Sequence, residues 1–173
     1  MDNLGIAQYL SRLGLALGGT EALETGKQLW QDAPIWQELR RYTEDTMVVR
    51  DPFELFVAQN VVLEGLLYPL IYERIVDEKF AAEGGSTITL LCQFQRDWFD
   101  EVRRWVDAVM KVAAAESESN KEQLAEWVRH WSERASAALL PLIKSVFADQ
   151  AEELMAEQLA ELQARLAKSG ITI

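Results

Sequence analysis

The sequence predicts an all-α protein, and three observations predict it. No segment alternates apolar and polar residues over the length of a strand. Apolar residues recur at steps of three and four along nearly the whole chain, which is the helical period. Breakers such as Gly18-Gly19, Pro34, Pro52 and Gly84-Gly85 divide the chain into helix-length pieces. A chain of 173 residues can bury one real core. We expect a single helical domain over 1–173, an antiparallel bundle of about five to six helices.

The elements follow in order. A first helix is expected over 4–17, stopped by Gly18-Gly19, with Thr20 placed to begin the next. That helix reaches Trp30, and Pro34 breaks or restarts it. Helix continues from Trp36 to Val49. Asp51-Pro52 is a strong start signal: Asp accepts from free amides, and Pro suits the first helical position. The helix it opens runs toward Ala82, with a kink expected at Pro69, and Gly84-Gly85 ends it. Ser86 or Thr87 begins a long helix to about Glu116. Leu91, Phe94, Trp98, Val102, Trp105, Val109 and Val112 mark its buried stripe, widened by Leu90, Phe99, Val106 and Met110. Asn120 with Gln123 reads as a capping-box start, and Trp127, Trp131, Ala135 and Leu139 carry the next apolar face, with a kink at Pro141. A last helix, Asp149 to Lys168, ends before Gly170.

Composition narrows the function. A net charge of −11 repels phosphate backbones and anionic bilayers, so nucleic acid and membrane surfaces are poor partners. Residues 55–75 are apolar enough to raise a membrane span, but Asn60, Glu64, Glu73 and Arg74 make one expensive. The start of the chain lacks the basic run and apolar stretch of a signal peptide. Cys92 is the sole cysteine, so no intrachain disulfide forms, and a cytoplasmic setting is expected.

The search for chemistry turns on His130, the only histidine. Its neighbours Trp127, Arg129 and Trp131 offer no nucleophile for a triad, and one His with one Cys cannot make a zinc site. Di-iron carboxylate bundles need two Glu-x-x-His motifs, and none exists, because the third position before His130 is Trp127. Asn60, Glu64 and Tyr68 form a polar ladder on one face of an apolar helix. Glu64 is either a carboxylate that binds metal or moves protons, or a buried group satisfied by Asn60, Tyr68 or an Arg from a neighbouring helix. The missing His ligands favour the second. Around Asp97, Asp100 and Glu101, charges alternate, and Asp100 with Arg104 and Arg103 with Asp107 are spaced to pair. Trp30, Trp36, Trp98, Trp105, Trp127 and Trp131 are core or interface anchors.

The stretches DPFELFVAQNVVLEGLLYPLIYERI, FQRDWFDEVRRWVDAVMKVAAAES, LAEWVRHW and ALLPLI resemble the β subunit of the hydroxylase of bacterial multicomponent monooxygenases, the phenol hydroxylase type most nearly. The resemblance runs from about Ala7 onward and is most specific in the two central helices. It implies a ferritin-like helical fold in a hydroxylase of α, β and γ chains, served by an effector protein and a reductase. It implies that the partner α chain carries the di-iron centre for NADH-dependent hydroxylation of phenol- or toluene-type aromatics. It also implies that the β chain is a non-catalytic scaffold. Glu64 stands where the catalytic relative has a lone helix Glu, and Asp97-Trp98-Phe99-Asp100 where it has Glu-x-x-His; an Asp in the His place does not restore the site. We therefore expect no catalytic, cofactor-binding or metal-binding residue in this chain. Family β chains are longer, and this chain resembles their C-terminal part. Either it is part of a longer chain, or another polypeptide covers an exposed apolar face. The alternatives are a helical adaptor that binds another protein through its Trp-bearing stripe, and an enzyme that uses Glu64 with a second carboxylate.

Overall fold

A computed structural model describes residues 2–173, and among them there is no strand. The helices are α1 (Asp2–Asp32), α2 (Pro34–Thr46), α3 (Pro52–Phe80), α4 (Ser86–Glu116), α5 (Glu118–Phe147) and α6 (Ala151–Ala167). A single 3-10 turn, Ala148–Gln150, joins the last two.

Punctuation in the sequence explains most boundaries. Gly19 takes φ 65 and ψ −167, so α1 is two helical arms that meet at the expected glycine pair. Pro34 opens α2, which ends at Thr46, short of Val49. Asp51 caps α3 by accepting from the amides of Phe53 at 2.8 Å and Glu54 at 3.3 Å. Gly84, at φ 92, makes the turn between α3 and α4. The start of α5 differs from expectation. Ser117, not Asn120, is the N-cap, and its hydroxyl accepts from the Asn120 amide at 3.0 Å. The Asn120 side chain turns back instead, donating to the Ala113 carbonyl at 3.3 Å and the Glu116 carboxylate at 3.1 Å. The last helix starts at Ala151 rather than Asp149, since the 3-10 turn takes the residues before it.

Pro69 acts through register. From Pro69 to Phe80, α3 is π-helical, with bonds to the fifth residue rather than the fourth, and an earlier π stretch spans Val57–Leu63. Proline lacks an amide hydrogen, so the wider turn begins where the ordinary ladder loses a donor. Pro141 lies inside α5, which continues to Phe147.

Helix α3 runs through the core. Val57, Val61, Val62, Leu66 and Leu70 are fully buried, against Met110 of α4, Leu139 and Ile143 of α5 and Leu166 of α6. Each such side chain contributes about 1.5–3 kcal/mol when removed from water. By length and composition α3 could cross a bilayer, but 56% of its most apolar window is buried inside this fold. A second cluster joins Tyr68, Tyr72 and Val76 of α3 to Cys92 and Phe99 of α4.

The stripe expected on α4 is rotated. Its buried line is Cys92, Gln95, Phe99, Val106, Met110 and Ala114. Trp105 and Val112 of the expected stripe are 58% and 64% exposed. The apolar face of α4 is wider than the arc its neighbours cover, and α3, α5 and α6 select one side of it.

Candidate functional site

The polar ladder sits in the middle of α3. Residues 64–68 form a short α-helical segment between the two π stretches, so Glu64 begins at a change of register. Glu64 is 5% exposed. Asn60 Nδ2, one turn earlier, donates to Glu64 Oε2 at 3.2 Å. Of the partners expected for Glu64, Asn60 is therefore in place. Tyr68 lies one turn later, its ring stacked on Phe99 at 4.8 Å and 12° and set 5.6 Å from Trp98. Burial first, then Tyr72 and the Glu64 charge, hold the Tyr68 phenol protonated well above its usual range. A cavity of about 410 Å³ between α2 and α3 is bordered by Glu64, Thr43, Thr46, Gln59 and Tyr68.

An arginine from a neighbouring helix also reaches this part of α3. Arg165 of α6 reaches α3 beside Gly65, where a Cβ would stand 3.4 Å from its Nη1. Its Nη2 donates to the Val61 carbonyl at 3.4 Å. Its Nε lies 3.0 Å from Asp107 Oδ1, close enough for an ion pair, yet forms no hydrogen bond there. Burial pulls the Arg165 pKa down, and the Asp107 charge opposes that. The pairing expected on α4 is thus corrected: Asp107 faces Arg165 instead of Arg103, and Arg103 binds Asp100 at 2.7 Å. Spacing along one helix could not reveal the better partner on another.

The remaining candidates stay apart from the ladder's chemistry. Asp97 and Asp100 are exposed on α4. His130 is exposed on α5, edge-on to Trp131 at 5.3 Å. Cys92 is buried, and burial pushes its thiol up, which disfavours the thiolate. Among the described residues, no group of three or more His, Cys, Asp and Glu is placed to hold a metal ion. Sequence reasoning missed Asp45 with Arg134, an ion pair from α2 to α5; the Arg134 guanidinium also lies 4.8 Å over the Trp131 ring. The alternation of charge carried no signal for that contact.

The fold and the ladder can now be set beside known proteins. The Methane/Phenol/Alkene Hydroxylase family model matches residues 1–117. The chain belongs to this family. Among its relatives is the oxygenase component DmpL of phenol 2-monooxygenase from Pseudomonas sp. (strain CF600), 55% identical over 82% of this chain and 43% of that one. The corresponding component MhpL from Acinetobacter pittii (strain PHEA-2) is 38% identical over 94% of this chain and 50% of that one. The hydroxylase component β subunit of the toluene-4-monooxygenase system of Ectopseudomonas mendocina is 29% identical over 70% of this chain and 38% of that one. The crystal structure of xenon-pressurized phenol hydroxylase from Pseudomonas sp. OX1 matches with a TM-score of 0.92 and 42% identity, covering 100% of this chain and 52% of that one. This hydroxylase-family chain therefore spans about half the length of these two phenol 2-monooxygenase components. The expected ferritin-like helical architecture is the one it has.

Proposed function

We propose that this chain is a non-catalytic structural subunit of the hydroxylase of a multicomponent aromatic monooxygenase. Its role is burial: it packs against an iron-bearing α chain, alongside a γ chain, in a cytoplasmic system completed by an effector protein and a reductase. The observation that carries this reading is the donor set at Glu64. A buried carboxylate is bonded to an amide, with a phenol one turn on, in a fold shared with a phenol hydroxylase. A di-iron centre draws on several carboxylates and two imidazoles, and the chain has a single His. The exposed Trp105 and Val112 favour a partner surface.

The test has two arms. The purified chain is analysed for iron and then co-expressed with an iron-bearing α-type chain of the phenol hydroxylase class. We expect no stoichiometric iron in the isolated chain and a complex that co-elutes with the α chain. Stoichiometric iron in the isolated chain overturns the non-catalytic reading. Failure to co-elute overturns the assembly reading.

A further inference from the structure

A cavity of about 460 Å³ lies among α3, α4 and α6. Pro69, Phe99 and Leu162 give it an apolar side, and Gln158 lines it beside them. Gln158 is only 3% exposed, and among the described residues its side-chain amide bonds no other group. A buried amide is ordinarily matched, so one that lines a cavity without a partner points to a ligand. The volume is that of a small-molecule site.

Charge decides which molecule fits. The chain carries −11 overall, yet Arg103, Arg104, Arg165 and Lys168 line this cavity against Asp107 and Glu161. Two of the cations are already matched: Arg103 binds Asp100 at 2.7 Å, and Arg165 lies 3.0 Å from Asp107. Among the described residues Arg104 and Lys168 pair with no carboxylate, and Glu161 pairs with no cation. Two free cations against one free carboxylate leave a local excess of one positive charge. A monoanion suits that balance, whereas a dianion is opposed by Asp107 and Glu161 and a cation by the excess. Gln158 and Lys168 are ten residues apart on α6, about 15 Å along its axis. An inorganic ion cannot meet both ends, and it leaves the apolar side uncovered.

We propose that this cavity binds a small organic monocarboxylate with a neutral hydrogen-bonding group, a hydroxyl or carbonyl, at its far end. The carboxylate lies between Arg104 and Lys168, the carbon chain lies along Pro69, Phe99 and Leu162, and the far group meets the Gln158 amide. The proposal does not rest on the subunit reading.

The full chain, labelled with ¹⁵N, is titrated at neutral pH and fixed ionic strength with ω-hydroxyhexanoate, hexanoate and ω-hydroxyhexanamide, while the side-chain amide signals of Gln158 are followed. The hydroxy acid is expected to shift them saturably. Hexanoate lacks the hydroxyl and should bind about three- to tenfold more weakly, the worth of one hydrogen bond. The amide lacks the charge and should bind at least about fivefold more weakly. Arg104→Met with Lys168→Met, both at exposed positions, should remove the preference for the acid over the amide. Glu161→Gln, also exposed, should tighten binding of the acid by removing a repulsion. Shifts that never saturate, equal affinity for acid and amide, or weaker binding in Glu161→Gln each overturn the proposal. None of these outcomes bears on iron content or on co-elution with an α chain.

Discussion

Asn60 Nδ2 donates a 3.2 Å hydrogen bond to Glu64 Oε2, which ties two polar groups together inside an otherwise apolar helix. The bond uses the geometry of one helical turn and needs an acceptor oxygen, which an amide also supplies. Glu64→Gln should therefore cost less than Glu64→Ala, because the bond from Asn60 survives. Glu64→Ala should cost about 1–3 kcal/mol by leaving the Asn60 donor unmatched. Urea denaturation of both variants checks this; a Gln variant as damaged as the Ala variant would show that the charge itself is required.

Gly65 and Arg165 set a second expectation. A Cβ at Gly65 meets Arg165 Nη1 at 3.4 Å and Leu162 Cδ1 at 3.5 Å, both ordinary contacts. Gly65→Ala should thus be tolerated and should gain about 0.5–1 kcal/mol of helix propensity. Gly65→Leu should displace Arg165 from the Val61 carbonyl and from Asp107, and lower the melting temperature. A melting curve for Gly65→Leu that overlays that of Gly65→Ala would refute the close packing.

The two side-chain caps give a third. Asp51→Ala and Ser117→Ala each remove an acceptor from a helix start, and each should cost about 1 kcal/mol. Asn120→Ala should not imitate Ser117→Ala, since Asn120 is inside the helix. Chemical denaturation of the three variants separates the roles.

A fourth concerns acid. Burial, Glu161 and Asp100 push the Glu73 carboxyl above its usual 4.5. The folded state therefore holds this proton more tightly than the unfolded chain does, and stability falls as pH rises through the window from 4.5 upward. Glu73→Gln should stabilise the protein modestly at neutral pH and leave stability unchanged well below 4.5. Denaturation curves at both conditions test the sign.

A fifth lies at the alkaline end. Burial, then Cys92, pushes the Tyr72 phenol from 10.0 up to about 12. The unfolded chain ionises first, so stability should drop as pH rises between those values, and Tyr72→Phe should flatten that drop. A slope unchanged in the variant would assign the loss to other groups.

Local chemistry was the most legible part of the fold. Asp51-Pro52, Pro34 and the glycine pairs act on their own backbone, and each appears where the chain said it would. What depends on a second helix was not legible. Asp107 has Arg103 four residues away but faces Arg165, because the packing of α4 on α6 supplies the closer cation. The apolar breadth of α4 hid which arc would be covered, and Trp105 fell on the open side. Ser117 lost to Asn120 in the sequence because both are good caps, and only the backbone around Ser117 is extended, at φ −162. At the ladder, the ligand census was readable from composition, whereas the Asn60–Glu64 bond and the reach of Arg165 to the Val61 carbonyl required coordinates.

A π turn takes up one residue more than an α turn, so the stretch Val57–Leu63 stores an extra residue without changing which way its flanks face. Deleting one residue there would let the segment relax to ordinary α-helix with Phe56 before it and Leu66 after it still in place. Deleting one residue from the α-helical segment Glu64–Tyr68 has no such reserve, and everything beyond it would rotate by about 100°. Val57 and Leu70 could not then both face the core. A deletion scan of α3 should find the π interval the more tolerant of a single lost residue.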